Sequence, residues 1–392
     1  GYTPRIFSKA GGELPNPRII SNKFYSCGKS CPLSPIFNIA FSAFTQFLAH
    51  DMVKAPNIMG NPDIECCKGN KPVDRPECFP FEVPKGEFMF TCMSLVRSSP
   101  APYKNCAPGP REQVNEVSSY LDLSQIYGVN NLQRKELVDP TTGMLYTSKG
   151  GLLPIGRPED CSRNRSECFR TGDTRVSATP EITVFHHLFH FEHNRLVQLL
   201  HKINPHWKPD LLYEEARKIN TAVYQHIIYN EFLPLFLGKE AALQLGLLPT
   251  PKGYNTQYDP KASASVRNEF ATAAFRYGHS QIIDFTGSAY IDRTLVLRVP
   301  LVNEFFKTRI IRNKKTFGPT GVCRWMTTEL AGKLDRVVSD TARNRMLETK
   351  TMSGFDLSAI DIQRGRDHGL PGYNDVRRFC GLKPAYVIKS GP

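Results

Sequence analysis

The chain has 392 residues, of which 40% are hydrophobic and 22% charged, a balance that allows a sizeable core and excludes wholesale disorder. The formal net charge of +13 favours acidic surfaces such as nucleic acid, anionic matrix or cell-surface glycans, or lipid headgroups without selecting among them, while the lack of any stacking-aromatic or recognition-helix pattern argues against nucleic acid. No apolar run reaches the roughly 18 residues of a membrane-spanning helix.

Residues 1–33 are rich in Gly, Pro and Asn and read as irregular. The first helix is expected over Pro35–Val53, with Ser34 as its cap and Pro35 in its first turn. Ile36, Phe37, Ala40, Phe41, Phe44, Phe47 and Leu48 recur there at helical spacing. Residues 54–110 hold many prolines and most of the cysteines and read as a stapled loop region. A polar segment follows over Glu112–Gly128. Pro180 opens a long helix through about Lys202, with Thr179 as its N-cap. Further helices are expected near 211–237, 262–279, 324–336 and 373–380. Strand signals are sparse, so the fold class is mainly α with long irregular connections. Prolines and glycines are spread evenly, with no linker, and one domain over 1–392 is expected.

Eleven cysteines cluster at Cys66, Cys67, Cys78 and Cys92 and again at Cys161 and Cys168. That density fits an oxidising compartment, hence secretion. The sequon Asn164-Arg165-Ser166 agrees with it. Gly1 opens the sequence without a charged-then-apolar leader, as expected if a signal peptide has been removed or was never included.

Five segments carry chemistry. Gln46 and His50 are four residues apart and share a helix face, while Asp51 points about 100° away. Such a histidine is either a satisfied core residue or a base in a pocket. Ser118, Tyr120, Asp122 and Ser124 carry oxygens at every second residue. An extended loop would converge them on a hard cation such as calcium, with Asp51 as a further ligand, although Ser and Asp are also ordinary turn formers. Arg170 and Arg175 precede the helix at Pro180, a poor place for a cation near a positive dipole end. His279 ends Phe275-Arg276-Tyr277-Gly278-His279, where it suits either the helix dipole or an axial iron. Asp361 to Asn374 is a dense polar string holding Arg364 and Arg366. His186, His187, His190 and His193 crowd one helix without either zinc-protease spacing, so a zinc site is not expected.

In this order the segments resemble the animal haem peroxidase family. The matching motifs are Gln46-x-x-x-His50-Asp51, Ser118 to Gly128, Gly172-Asp173-Thr174-Arg175, Glu192-His193-Asn194-Arg195, Arg276-Tyr277-Gly278-His279 and Gln363-Arg364-Gly365-Arg366-Asp367-His368-Gly369. Cys106 to Gln113, with Gln363-Arg364-Gly365, looks more like the invertebrate peroxinectin and peroxidasin branch than the mammalian leukocyte one. The resemblance implies a helical fold around one haem b and a reaction of hydrogen peroxide with a small reducing substrate. It implies His279 as the iron ligand, His50 as distal base, Arg175 as its partner and Gln46 in the distal pocket. Asp361 and Arg276 join the haem-binding set, and Arg364 pairs with a propionate. Asp51, Ser118, Tyr120 through its carbonyl, Asp122 and Ser124 become the calcium ligands.

Three departures from the family pattern bear on function. Ala49 and Ala178 stand where the mammalian branch has ester-forming carboxylates, and Thr179 where it has a vinyl-bonding Met. The haem is therefore expected to be non-covalent and the donor phenol-like rather than chloride. Asp361 replaces the family's usual Asn beside the proximal imidazole. A peroxidase-fold binding protein with weak or no catalysis is the alternative that Ala49 and Ala178 keep open. The family domain usually extends beyond both ends of this chain. By family position Cys161 pairs with Cys168, the 66–92 cluster pairs internally, and Cys380 is left over.

Overall fold

The computed structural model describes residues 3–385 apart from 29, 58–63, 103–106, 108, 162–166, 251, 255 and 257. The sequon at Asn164 and Cys106 lie outside the described residues. Helices dominate. In chain order α1 is Pro17–Phe24, α2 Ile39–Met52, α3 Ser124–Tyr127, α4 Asn131–Leu137, α5 Pro180–Ile203 and α6 Pro209–Ile227. Four two-stranded sheets are small accessories.

The core forms where α2 and α6 meet α5. Phe44 and Phe47 of α2 pack on Phe185, Phe189 and Tyr224, with Phe47 and Phe189 stacked at 5.2 Å between centroids. A second cluster joins Ile39, Val184, Trp325 and Met326, so the helix Gly318–Thr328 closes the other side of α5. Buried aromatic area of this kind is the main stabilising term.

Local signals and tertiary pairing divide the element boundaries. Thr179 caps α5 as expected, its hydroxyl accepting from Ile182 N at 3.4 Å. The helix expected from Pro35 instead begins at Ile39. Leu33–Asn38 is a strand paired antiparallel with Leu330–Gly332. Asn38 is the actual cap, accepting from Phe41 N at 3.0 Å, and Ser34 holds a local turn at Phe37 N instead. The expected helix near 324–336 ends at Thr328 for the same reason, because the partner strand follows. The 262–279 segment divides into Asn268–Thr272 and a 3-10 helix, Ala274–Gln281. The 211–237 helix runs from Pro209 to Leu237 through a π-helical turn at Ile228–Phe232. Within the region read as irregular, α1 forms because Asn16 accepts from Arg18 N and Ile19 N. Asp356 caps Leu357–Asp367, a helix that the polar string had concealed.

The 66–92 cluster pairs as Cys66–Cys78 and Cys67–Cys92, alongside Cys161–Cys168 and Cys27–Cys31. Among the described residues Cys323 is free as well as Cys380. Two thiols, rather than the expected Cys380 alone, therefore lack a bridge.

Candidate active site

The C-terminal turn of α2 and the 3-10 helix Ala274–Gln281 face one another across a cavity of about 340 Å³. Gln46, His50, Arg175, Arg276 and His279 all line it. Ala49 and Ala178 line it too, as does Glu181, whose carboxylate accepts from Thr286 Oγ1 at 2.5 Å. Val53, Arg175, Ala271 and Arg276 are shared with an adjoining cleft of about 450 Å³ that also contains Arg364 and His368. The cavity thus has an apolar body and opens toward a charged rim.

His50 is 5% exposed. Burial, then the positive charge of Arg175, holds its imidazole well below the usual histidine range, so it is neutral. Its Nδ1 is enclosed by protein without a hydrogen-bond partner, which leaves Nε2 as the nitrogen toward the cavity. Arg175 is fixed by Asp173. Nε lies 2.9 Å from Oδ1, and Nη2 lies 2.7 Å from Oδ2. The same guanidinium donates to Val53 O at 2.9 Å and His50 O at 3.2 Å. Asp173 is buried, which alone would raise its carboxyl, but the charge and hydrogen bonds of Arg175 hold it far below the carboxylate range. Sequence reasoning assigned Asp173 no role. Its position two residues before Arg175, in a bidentate geometry, was the available signal.

Asp51 turns away from the cavity. Its Oδ1 accepts from Ser124 N at 2.7 Å and Ser124 Oγ at 2.9 Å, and Oδ2 accepts from Leu123 N at 3.3 Å. Burial and the nearby Asp122 push its carboxyl up to about 7. The segment is not the extended loop that the alternating oxygens implied. Leu123 adopts a left-handed φ of 58°, and Ser124 begins α3. Asp51, Asp122 and Ser124 are therefore brought together. Ser118 Oγ accepts from Tyr120 N at 3.1 Å, and among the described residues no hydrogen bond joins either to Asp51. No group of three or more His, Cys, Asp or Glu side chains suited to a metal occurs among the described residues. Gly172 links this segment to the arginine loop. A Cβ there would lie 2.2 Å from Ser124 O and 2.3 Å from Gly128 N, so only glycine permits the approach.

On the opposite side, His279 Nδ1 lies 2.5 Å from Asp361 Oδ2, and Arg276 also bonds this carboxylate. Burial opposes ionisation of Asp361, but the charges of His279 and Arg276 outweigh it and lower the carboxyl. His279 Nε2 is left free of this pairing. Arg364 donates to Val96 O at 2.9 Å, Ser98 Oγ at 3.1 Å and Asp367 Oδ2 at 3.2 Å, so its charge is partly engaged at the rim.

His190 and His193 of α5 are structural in their bonding. His190 Nε2 lies 2.9 Å from Tyr146 O, and His193 Nε2 lies 3.1 Å from Gly143 O. Gln281 is buried in the cavity wall with both amide atoms unpartnered, a feature that sequence reasoning missed.

A family model described as animal haem peroxidase matches residues 1–390. The chain is 34% identical to a chorion peroxidase of Aedes aegypti over 97% of its own length and 50% of that protein. It is 36% identical to an eosinophil peroxidase of Mus musculus over 97% of its length and 55% of that protein. These identities do not separate the invertebrate branch from the leukocyte one. Among solved structures, peroxidase A from Dictyostelium discoideum superposes with a TM-score of 0.80 at 24% identity, covering all of this chain and 77% of that one. The chain spans about half the length of the curated relatives it matches. With a family match along almost all of its residues, the chain belongs to the animal haem peroxidase family.

Proposed function

We propose that this chain is the catalytic part of a secreted, haem-dependent peroxidase that reduces hydrogen peroxide and oxidises a small phenol-like donor. The observation that carries the reading is the opposed placement of His50 and His279 on one cavity, with Arg175 beside His50. The residues fit an iron macrocycle. His279 offers an unpaired Nε2, the cavity body is apolar, and Arg276 and Arg364 stand at the rim where propionates need cations. A bound haem would store the two oxidising equivalents that come from peroxide until the donor returns two electrons.

The side chains do the remaining work. Neutral His50 accepts a proton from hydrogen peroxide at Nε2 and returns it to the departing oxygen as water forms. Arg175 stays charged and stabilises the negative charge that develops as the O–O bond breaks. Asp173 and the carbonyls of His50 and Val53 fix that guanidinium, so no reorganisation is needed. Gln46 lines the same wall and orients peroxide or water by its amide. Asp361 accepts from His279 Nδ1 and fixes the ring, leaving Nε2 as the nitrogen that would hold the iron.

Haem attachment is non-covalent in this account, because the methyl side chains of Ala49 and Ala178 cannot form esters. Glu181, the one acidic group lining the main cavity among the described residues, is engaged by Thr286. A calcium ion at Asp51, Asp122, Ser124, Ser118 and the Tyr120 carbonyl would relieve the repulsion that raises Asp51. Asp51 follows His50 directly, so the ion would position the base. Four disulfides among the described residues support secretion. The +13 charge supports retention on polyanionic matrix or cell surfaces. The retained His50, Arg175 and His279 favour catalysis over a purely adhesive role. The test is haem-supplemented expression followed by peroxide and a phenol. Donor oxidation in step with peroxide loss supports the enzyme, and a protein that takes up no haem supports the binding scaffold.

A further inference from the structure

The mechanism leaves one buried histidine beside the site without a task. His186 of α5 is fully buried. Its Nδ1 lies 2.9 Å from Ile182 O, one helical turn earlier. A carbonyl oxygen only accepts, so Nδ1 carries the proton and Nε2 is a bare acceptor in the neutral ring. Burial holds the ring neutral by pushing its pKa down to about 4. The Phe47 ring of α2 stands edge-on to it at 5.0 Å, so its orientation is fixed from both helices. Nε2 is nevertheless buried without a partner.

His50 shows the complementary lack. A base working through the cavity-facing Nε2 must carry its own proton on Nδ1. That Nδ1 is likewise buried and without a partner. The two rings lie 6.3 Å apart between centroids, tilted by 53°. Rings this far apart are out of reach of a direct bond, and one water making two hydrogen bonds of about 2.8–3.0 Å would join them. Left unmade, each orphan costs roughly 1–3 kcal/mol. The competing acceptor against α2 is Gln125 Oε1, but its amide is anchored on Phe47 O and its oxygen faces the Tyr224 hydroxyl, itself a buried donor.

We propose that His186 is a positioning residue for the distal base: one buried water accepts from His50 Nδ1–H and donates to His186 Nε2. The bridge fixes His50 in the tautomer whose Nε2 lone pair meets peroxide, and it fixes the plane of the ring. It forms and breaks no covalent bond. The inference rests on the reading of His50 as the base.

The test compares His186→Leu, His186→Gln and His50→Ala in the haem-loaded chain. The readouts are the rate of peroxide reaction, the rate of cyanide binding, which also needs a proton acceptor, and haem content. Leucine should slow both rates roughly tenfold or more at unchanged haem content. Glutamine keeps an acceptor at similar reach and should restore most of the loss. Wild-type rates in His186→Leu, or equal losses in both variants, would overturn the proposal. Should His186→Leu fail to fold, a high-resolution crystal structure of the unaltered protein decides. Density for a water within hydrogen-bond distance of both nitrogens supports the bridge, and its absence there overturns it. His50→Ala separates the two levels. If it keeps the peroxide rate, the base assignment itself fails. If it is inactive while His186→Leu is normal, only the bridge fails.

Discussion

Replacing Asp361 by Asn tests the proximal side of the site. The carboxylate accepts from His279 Nδ1 at 2.5 Å and is shared with Arg276. A charged acceptor pulls the imidazole toward imidazolate, which favours ferric over ferrous iron. A charge-assisted hydrogen bond is worth about 1–1.5 kcal/mol more than a neutral one. For a one-electron couple that difference corresponds to roughly 40–60 mV. Arg276 already takes part of the charge, so Asp361→Asn should raise the Fe(III)/Fe(II) potential by about 40 mV, the lower end of that range. The assay is a spectroelectrochemical titration of the haem-loaded protein and the variant. An unchanged or lowered potential at equal haem content would refute the reasoning.

Chelation of calcium, or Asp122→Ala, should lower both thermal stability and the rate of peroxide reaction, since the proposed ion would anchor the residue after His50; unaltered values after chelation would remove the ion from the account. Acidified solvent should extract all the haem, because Ala49 and Ala178 offer no ester, and pigment left on the polypeptide would point to a bond from another side chain such as Glu181. Stability should also fall between pH 6.5 and 5.5. Burial lowers His186 to about 4, His190 to about 3 and His193 to about 4, so the unfolded chain binds more protons in this window. Each loses about 1 kcal/mol over that unit. Asp51 and Glu181, both raised, act in the opposite sense and leave a net loss of about 1–3 kcal/mol. Urea midpoints that do not drop on acidification would contradict this.

Legibility in the sequence followed the range of the interactions. The start of α5 was readable because Thr179 and Pro180 act within one turn. The start of α2 was not, because Pro35 looks like a first-turn proline until Leu330–Gly332 draws its segment into a strand. The 3-10 geometry around His279 was likewise hidden, since nothing in Ala274–Gln281 forbids an α-helix. Gln46 and His50 share a wall that four-residue spacing already implied. Their meeting with Arg175 and His279 came only from the family resemblance, because 125 residues separate His50 from Arg175. Gln281 and the unpartnered nitrogens of His50 and His186 were beyond reach of the sequence, because their significance lies in which atoms burial leaves without partners.

The central claim is that one cavity holds an iron macrocycle between His279 and His50. The most direct test is a haem titration of the unaltered chain and of His279→Ala, followed by absorption spectroscopy before and after peroxide. The account predicts one haem per chain, a Soret band that shifts with peroxide and returns with a phenol, and loss of that cycle in His279→Ala. A chain that binds no haem, or a variant whose spectra match the unaltered protein throughout, would contradict it.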